Sequence, residues 1–224
     1  MRELLYQFEN EFTALQYAFP HEVTAQTLNK GDVALDWGCG NGHFSCYLNY
    51  LGMETVGYSF DGFPECMTGK EHYAYKMSDE KEPITIDFPD NQFDAVFSIG
   101  VLEHVHEMGG SQVASMAQIR RILKQGGKFY CFHLPNKYSL SEALIALIYQ
   151  FKPVQFTVPH SKKFTQKAVE SLAAEAGLKV VAYQRYNLLP RNLTRRLLPW
   201  VATSNWLCLA LDRLDVFLVG LTQS

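Results

Sequence analysis

The chain has 224 residues, of which 47% are hydrophobic, and a formal net charge of −3. That length suits one large domain or a domain with a cap; the charge supplies no general basic field, which makes nucleic acid an unexpected partner. Five cysteines with neither a C-x-x-C pair nor a zinc spacing argue against a disulfide framework or a metal knuckle and favour a reducing cytoplasm.

Taken in chain order, Met1-Arg2-Glu3 leads to Leu4, Leu5 and Tyr6 before polar residues return, so no export signal is expected. Residues 3–18 place Leu4, Leu5, Phe8, Phe12, Leu15 and Tyr17 near helical spacing and predict an amphipathic helix that packs as core. Residues 1–29 form this N-terminal segment and residues 30–224 the main domain. Strands are predicted at 32–36, 54–58, 72–77, 93–99, 127–133, 178–185 and 215–221, with helices between most of them. The helix at 110–124 is expected to stop at Gly126-Gly127, in the left-handed manner of a C-terminal cap. Residues 136–165 exceed a minimal crossover and read as a helical cap insertion. Its helix, 139–151, opens with a capping box of Ser139 and Glu142. Leu140, Leu144, Leu147, Ile148 and Phe151 make a stripe along it that is read as buried core ahead of a lipid-facing surface.

The most informative segment is Val33-Ala34-Leu35-Asp36, leading through Trp37 into Gly38-Cys39-Gly40-Asn41-Gly42 and then an apolar helix. Glycines belong where the backbone turns sharply or a ligand approaches main-chain N–H groups. A dinucleotide fingerprint needs G-x-G-x-x-G, and counting from Gly38 and Gly40 its third position is His43. A nicotinamide-dependent oxidoreductase is therefore disfavoured, and a ligand-free turn is the plain alternative. A second segment runs from Asp87 through Pro89-Asp90-Asn91 into Phe93-Asp94-Ala95-Val96-Phe97-Ser98-Ile99-Gly100-Val101-Leu102-Glu103-His104-Val105. It reads as a tight turn followed by a buried strand whose far end opens over a site.

The G-x-G-x-G loop with an acid two residues before it resembles motif I of the class I S-adenosylmethionine-dependent methyltransferases, and the second segment resembles their motif IV, about 60 residues on. The resemblance covers residues 30–135 well and weakens towards 185. It implies an α/β fold, a Rossmann-like, seven-stranded, mostly parallel sheet of order 3-2-1-4-5-7-6 flanked by helices, with S-adenosyl-L-methionine as cofactor. The loop residues Gly38, Cys39 and Gly40 would wrap the methionine end, Asp36 would orient its amino group, and Ser98, Ile99 and Gly100 would back it, with Leu102-Glu103-His104 beginning the next helix. One departure stands at the end of strand two, Ser59-Phe60-Asp61, where the family commonly has a carboxylate at the position of Ser59. A serine hydroxyl accepts fewer hydrogen bonds than a carboxylate, so Ser59 and Asp61 both stand as ribose candidates, with Phe60 between them. For the adenine edge, Glu82 and Asp79 both remain open.

Methyl transfer from a sulfonium is an in-line displacement that needs alignment, a base if the nucleophile is a hydroxyl, and no metal. His104, His133 and His160 are the candidate bases, with His106 beside the first. The run His160, Phe164-Thr165, Leu172, Ala176-Gly177-Leu178 resembles a branch that includes quinone and cell-envelope methyltransferases, which implies a small-molecule or lipid-linked acceptor and, most readily, O-methylation. Residues 185–211 carry Arg185, Arg191, Arg195 and Arg196 and no acid, interleaved with leucines, Trp200 and Trp206. This suits peripheral contact with an anionic membrane from the cytoplasmic side, while the longest uncharged run, Leu197–Leu211, is 15 residues against the roughly 20 a spanning helix needs. A fold-retaining binding protein without catalysis is the alternative from another class.

Overall fold

In the computed structural model, the described residues are 8, 11–151, 160–189 and 199–223. Five strands form one parallel sheet: β1 (Val33–Trp37), β2 (Glu54–Ser59), β3 (Tyr73–Met77), β4 (Phe93–Ile99) and β5 (Leu123–Phe132), in the order β3-β2-β1-β4-β5. β1 and β4 are buried along most of their lengths, as near-continuous apolar runs covered on both faces must be. The helices of eight or more residues, among those described, are α1 (Ala18–Thr27), α2 (His43–Tyr50), α3 (Gln112–Ile122), α4 (Leu140–Phe151), α5 (Gln166–Glu175) and α6 (Asn205–Gln223).

The chain divides into two compact units. One comprises Thr24–Leu134 and Gln166–Val180, and the other Met1–Val23, Pro135–Thr165 and Val181–Ser224. The first holds the sheet. Its core gathers Leu35, Trp37, Phe93 and Val96 from the strands, Met116, Ile119 and Ile122 from α3, and Ala173 and Ala176 from α5 and its end. Two polar clamps fix the strand starts. Asp94 accepts the Val33 N–H at 2.9 Å and Lys124 Nζ at 2.7 Å, tying β1, β4 and β5 together. Burial works to raise the Asp94 pKa, but these bonds outweigh it and hold the carboxyl below its usual value. Arg121 of α3 donates to the carbonyls of Ile86 and Phe88 and to Asp90, fastening the turn before β4. The tight turn expected at Pro89-Asp90-Asn91 carries Asn91 at φ 56°, a left-handed conformation that asparagine tolerates.

Three expectations are corrected. The sheet has five strands among the described residues, where the sequence pattern predicts seven. Residues 178–185 carry no strand pairing, and 215–221 lie inside α6, where Cys208 and Asp215, one heptad apart, turn inward and Asp215 accepts the Leu189 N–H at 2.8 Å. A short apolar run does not distinguish strand from helix by pattern alone. Gly126-Gly127 does not cap the preceding helix, because α3 already ends at Ile122 and β5 begins at Leu123. The glycines instead lie in a bulge where the register with β4 shifts between Phe93 and Ala95. Of the stripe on α4, Leu144, Leu147 and Phe151 are exposed rather than core, the side chains of Leu140 and Ile148 lie outside those described, and among the described side chains of this helix the buried one is Glu142. His160 and Lys163 meet Glu142 at 2.9 and 3.2 Å, so Glu142 turns inward to these partners while Leu144, Leu147 and Phe151 turn out. The capping box is present in that Ser139 Oγ accepts the Glu142 N–H at 3.3 Å. Of the expected N-terminal helix, residues 3–7, 9 and 10 lie outside the described residues; beyond them Glu11–Ala14 and Leu15–Tyr17 are helical and lead into α1.

Candidate functional site

The strand order reverses direction at β1, since β2 lies on one side of it and β4 on the other. Open α/β sheets bind ligands at the carboxyl ends of the strands at such a point. Both sequence motifs end there: Trp37 pairs with Tyr58 on β2 and with Ser98 on β4, and the glycine loop leaves β1 directly after it.

The loop is shaped from three sides. From β2, the Tyr58 carbonyl accepts the N–H groups of Gly38 at 2.7 Å and Cys39 at 3.4 Å. From beyond β4, Val101 packs against Gly38 so closely that a methyl group there would land on its Cγ atoms, and Gly38 adopts φ 75° besides. From the segment after β2, Pro64 and Cys66 close on Gly42, where an added Cβ would sit 2.5 Å from Pro64 and 3.0 Å from the Cys66 thiol. At Gly40 the space is open, with Asp61 Oδ2 the nearest group, 3.8 Å from where a Cβ would stand.

Asp36 lies beneath this loop, 2% exposed, with Ser45 Oγ donating to its Oδ2 at 2.7 Å. Burial pushes the Asp36 pKa up to about 6, against the lowering effect of the Ser45 bonds. Around it, Cys39 is buried and its thiol is pushed up to about 12 by burial, with the Asp36 charge adding to the effect. Tyr73 reaches from β3 across Gly57, which has no side chain to obstruct it, and burial raises its phenol as well. Gly57 pairs with Asp36 in the sheet, so this absence of a Cβ is what lets the phenol approach β1.

At the end of β2, Ser59 is 3% exposed and its hydroxyl accepts the Asp61 N–H at 3.3 Å, whereas Phe60 and Asp61 are exposed. Asp79 and Glu82 share one exposed turn after β3, in which Asp79 Oδ1 accepts the Lys81 N–H at 2.9 Å and its carbonyl the Glu82 N–H at 3.1 Å. Ser98 is fully buried, its Oγ accepting the Leu102 N–H at 3.3 Å, and Gly100 continues from Ile99 at φ 70°. Residues 102–109 form successive turns, so Leu102-Glu103-His104 does not begin a helix; α3 starts at Gln112. His104 Nδ1 lies 3.1 Å from Glu107. His133, directly after β5, takes φ 62°, unusual for a residue with a side chain, and burial lowers its pKa to about 4. His160 belongs to the other compact unit, where it meets Glu142; burial works to raise that carboxyl, but His160 and Lys163 outweigh it and hold it below its usual value.

Ser45, Val101 and Tyr73 shape the site without standing out as candidates in the sequence. Ser45 does carry a signal, being the third residue of a helix whose N-cap is a glycine and so wanting a partner from elsewhere. Glu103 enters the sequence motif only as one of its members. It is buried, its carboxylate approaches Gly100, and it adds to burial in raising the Cys131 thiol. The set fits the implied cofactor: an open, side-chain-free approach at Gly40, an exposed carboxylate beside it for hydroxyl groups, and acids rather than bases around a cationic ligand.

The sequence model of a family described as "Methyltransferase domain" matches residues 10–183. A sterol 24-C-methyltransferase of Pneumocystis carinii (strain B80) is 26% identical over 183 residues, covering 77% of this chain and 45% of that protein. The chain thus spans less than half the length of this curated relative. Among solved structures, a SAM-dependent methyltransferase from Methanosarcina mazei matches with a TM-score of 0.56 and 18% identity over 73% of this chain and 87% of its own. Another from Aquifex aeolicus matches at 0.53 and 16%, over 73% and 81%; at such identities these two speak for the fold. The family match runs through every strand and helix that shapes the glycine loop, and the chain belongs to the class I S-adenosylmethionine-dependent methyltransferases.

Proposed function

We propose that this chain binds S-adenosylmethionine at the glycine loop and transfers its methyl group to a hydroxyl oxygen of a small or lipid-linked acceptor. The observation that carries the reading is the junction of Gly38 with Val101, which brings the motif after β1 and the motif after β4 to one place at the switch point. Gly38, Cys39 and Gly40 would hold the methionine end, with Asp36 beneath them and Ser98, Ile99 and Gly100 behind. Asp61 is favoured over Ser59 for the ribose hydroxyls, because its carboxylate is exposed while the Ser59 hydroxyl is buried and engaged by the Asp61 N–H. Phe60 would pack beside the sugar, and Asp79 or Glu82 would meet the adenine edge. When bound, the cofactor supplies an electrophilic methyl on a sulfonium.

The acceptor proton falls to His104. It follows the strand that shapes the loop, and Glu107 steadies its Nδ1 at 3.1 Å. His133 is too weak a base for that step and, held neutral, serves better as a hydrogen-bonding group. His160 is assigned no step. Calorimetry is expected to detect S-adenosylmethionine binding and none of NAD; an absence of heat with the first would overturn the reading. His104→Gln should leave that affinity unchanged and slow methyl transfer to a hydroxylated acceptor by about a hundredfold, and an unaltered rate would remove His104 from the mechanism.

A lipid-linked acceptor is favoured by α6. Trp206, Leu209, Arg213, Val216 and Phe217 are all exposed along one face of it, and the acid-free segment 185–211 with its four arginines precedes and overlaps this helix. Residues 190–198 of that segment lie outside the described residues. Among the described residues no helix is long and apolar enough to cross a membrane. An aromatic face centred on a cation suits the headgroup region of an anionic bilayer. Co-sedimentation with phosphatidylglycerol vesicles is expected at low salt and should fall at least severalfold in a Trp206→Ser, Phe217→Ser double variant. Equal binding to neutral vesicles, or none to either, would refute it.

A further inference from the structure

The helix α2 that follows the glycine loop has no cap of its own. Its N-cap residue is Gly42, in the left-handed conformation, with no side-chain hydrogen bond to the first turn. The first N–H groups of a helix lack partners within it and need acceptors from elsewhere, and a negative charge there is favoured by the helix dipole. His43 is the first residue of α2 and Ser45 the third. The third position is where a capping side chain ordinarily receives its bond. Here the acceptor comes from β1: Asp36 takes both the Ser45 hydroxyl, at 2.7 Å, and the Ser45 backbone N–H.

We propose that Asp36 is a positioning residue that caps α2 from beneath and thereby fixes both ends of the glycine loop, rather than a ligand to the charged groups of the cofactor. It rests on the reading above that this loop holds S-adenosylmethionine. Three observations support it. Asp36 is 2% exposed, so its carboxylate faces the helix start more than the open side of the loop. The loop from Gly38 to Gly42 spans the distance between Asp36 and the helix that Asp36 holds, so any slack in this bond becomes slack in the loop. Among the described residues the titratable groups beside Asp36 are the Cys39 thiol of the loop and the Tyr73 phenol of β3, which are neutral or negative in every protonation state, so neither supplies a counter-charge. Ser45 is then what makes a buried carboxylate tolerable at this position, and the carboxylate's acceptor oxygens, rather than its charge, are what the helix start requires.

A cap and an ionic contact respond differently to the same substitutions. Asparagine is as good a cap as aspartate but carries no charge. With S-adenosylmethionine in the calorimeter, Asp36→Asn is expected to bind within about threefold of the wild type, Ser45→Ala about fivefold weaker, and Asp36→Ala about thirtyfold weaker or worse. Should Asp36→Ala fail to fold, the Asp36→Asn and Ser45→Ala variants still decide between the two roles. An Asp36→Asn loss of thirtyfold or more, or a Ser45→Ala variant that binds as well as the wild type, would overturn the proposal in favour of direct contact. Amide hydrogen exchange without ligand gives a second reading that does not depend on cofactor binding. Protection of the Ser45 and Cys46 amides should survive in Asp36→Asn and be lost in Asp36→Ala; protection unchanged in Asp36→Ala would sink the capping role. A wild type that fails to bind S-adenosylmethionine would end the functional reading above, while the exchange pattern would still judge the cap.

Discussion

A Gly38→Ala variant is expected to lose S-adenosylmethionine binding to below calorimetric detection and to melt several degrees below the wild type. Two costs combine at this position. The residue sits at φ 75°, where a side chain costs roughly 1–2 kcal/mol. The new methyl would also occupy the space of the Val101 Cγ atoms, an overpacking that costs a further 1–3 kcal/mol or so. The sum, about 2–5 kcal/mol, falls on the loop that shapes the site, because the neighbouring N–H groups are tied to Tyr58 and relief must come from moving the loop or the turn after β4. The two costs separate in a Gly38→Ala, Val101→Ala double variant. Removing both Cγ atoms should restore the steric part and leave the conformational part, so the pair should be more stable than Gly38→Ala alone yet less stable than Val101→Ala. If Gly38→Ala binds within threefold of the wild type and melts within a degree of it, the tight junction described here does not exist in solution.

The second large effect concerns stability rather than binding. Asp36 has a folded-state pKa near 6 against an ordinary value of 3.8. A carboxyl with a raised pKa binds its proton more tightly when folded, so the folded state loses relative stability as pH rises from about 4 to about 6, and the full cost stands above that. Roughly two pKa units correspond to about 3 kcal/mol. Asp36→Asn removes the titration while keeping an acceptor for Ser45. The variant should therefore be more stable than the wild type at pH 8, by about 2–3 kcal/mol in a urea titration, and nearly equal to it at pH 4. An Asp36→Asn protein less stable than the wild type at pH 8 would show that the buried charge is compensated more fully than its surroundings indicate.

Much of the first unit is legible in the sequence because its physics is local. A parallel strand buried on both faces is an apolar run, and the boundaries expected for the strands at 32–36, 54–58, 72–77 and 93–99 differ from β1 to β4 by a residue at most. The glycine loop is legible for the same reason, since left-handed turns select glycine directly. What the sequence conceals depends on partners far away along the chain. The α4 stripe reads as core because apolar residues usually are, yet Glu142 finds His160 and Lys163 eighteen or more residues on and is buried against them, while Leu144, Leu147 and Phe151 are exposed. Residues 215–221 have the composition of a strand yet lie within the long helix α6, where Asp215 is drawn in to the distant Leu189 N–H. The choice between Ser59 and Asp61 turns on burial, which residue types alone do not supply.

The unit that carries the glycine loop is not continuous in the chain. Ala173 and Ala176 belong to its core, but residues 135–165, which belong to the other unit, are made before them. On the ribosome, therefore, all five strands and α3 emerge while one side of their core still lacks its cover. Ala173 and Ala176, 3% and 6% exposed in the folded protein, join that core only when α5 arrives. Exposed apolar surface of that kind is what chaperones recognise and what drives aggregation during synthesis. The order in which this chain is made thus leaves the core of this unit incomplete from residue 134 until about residue 180 has been added.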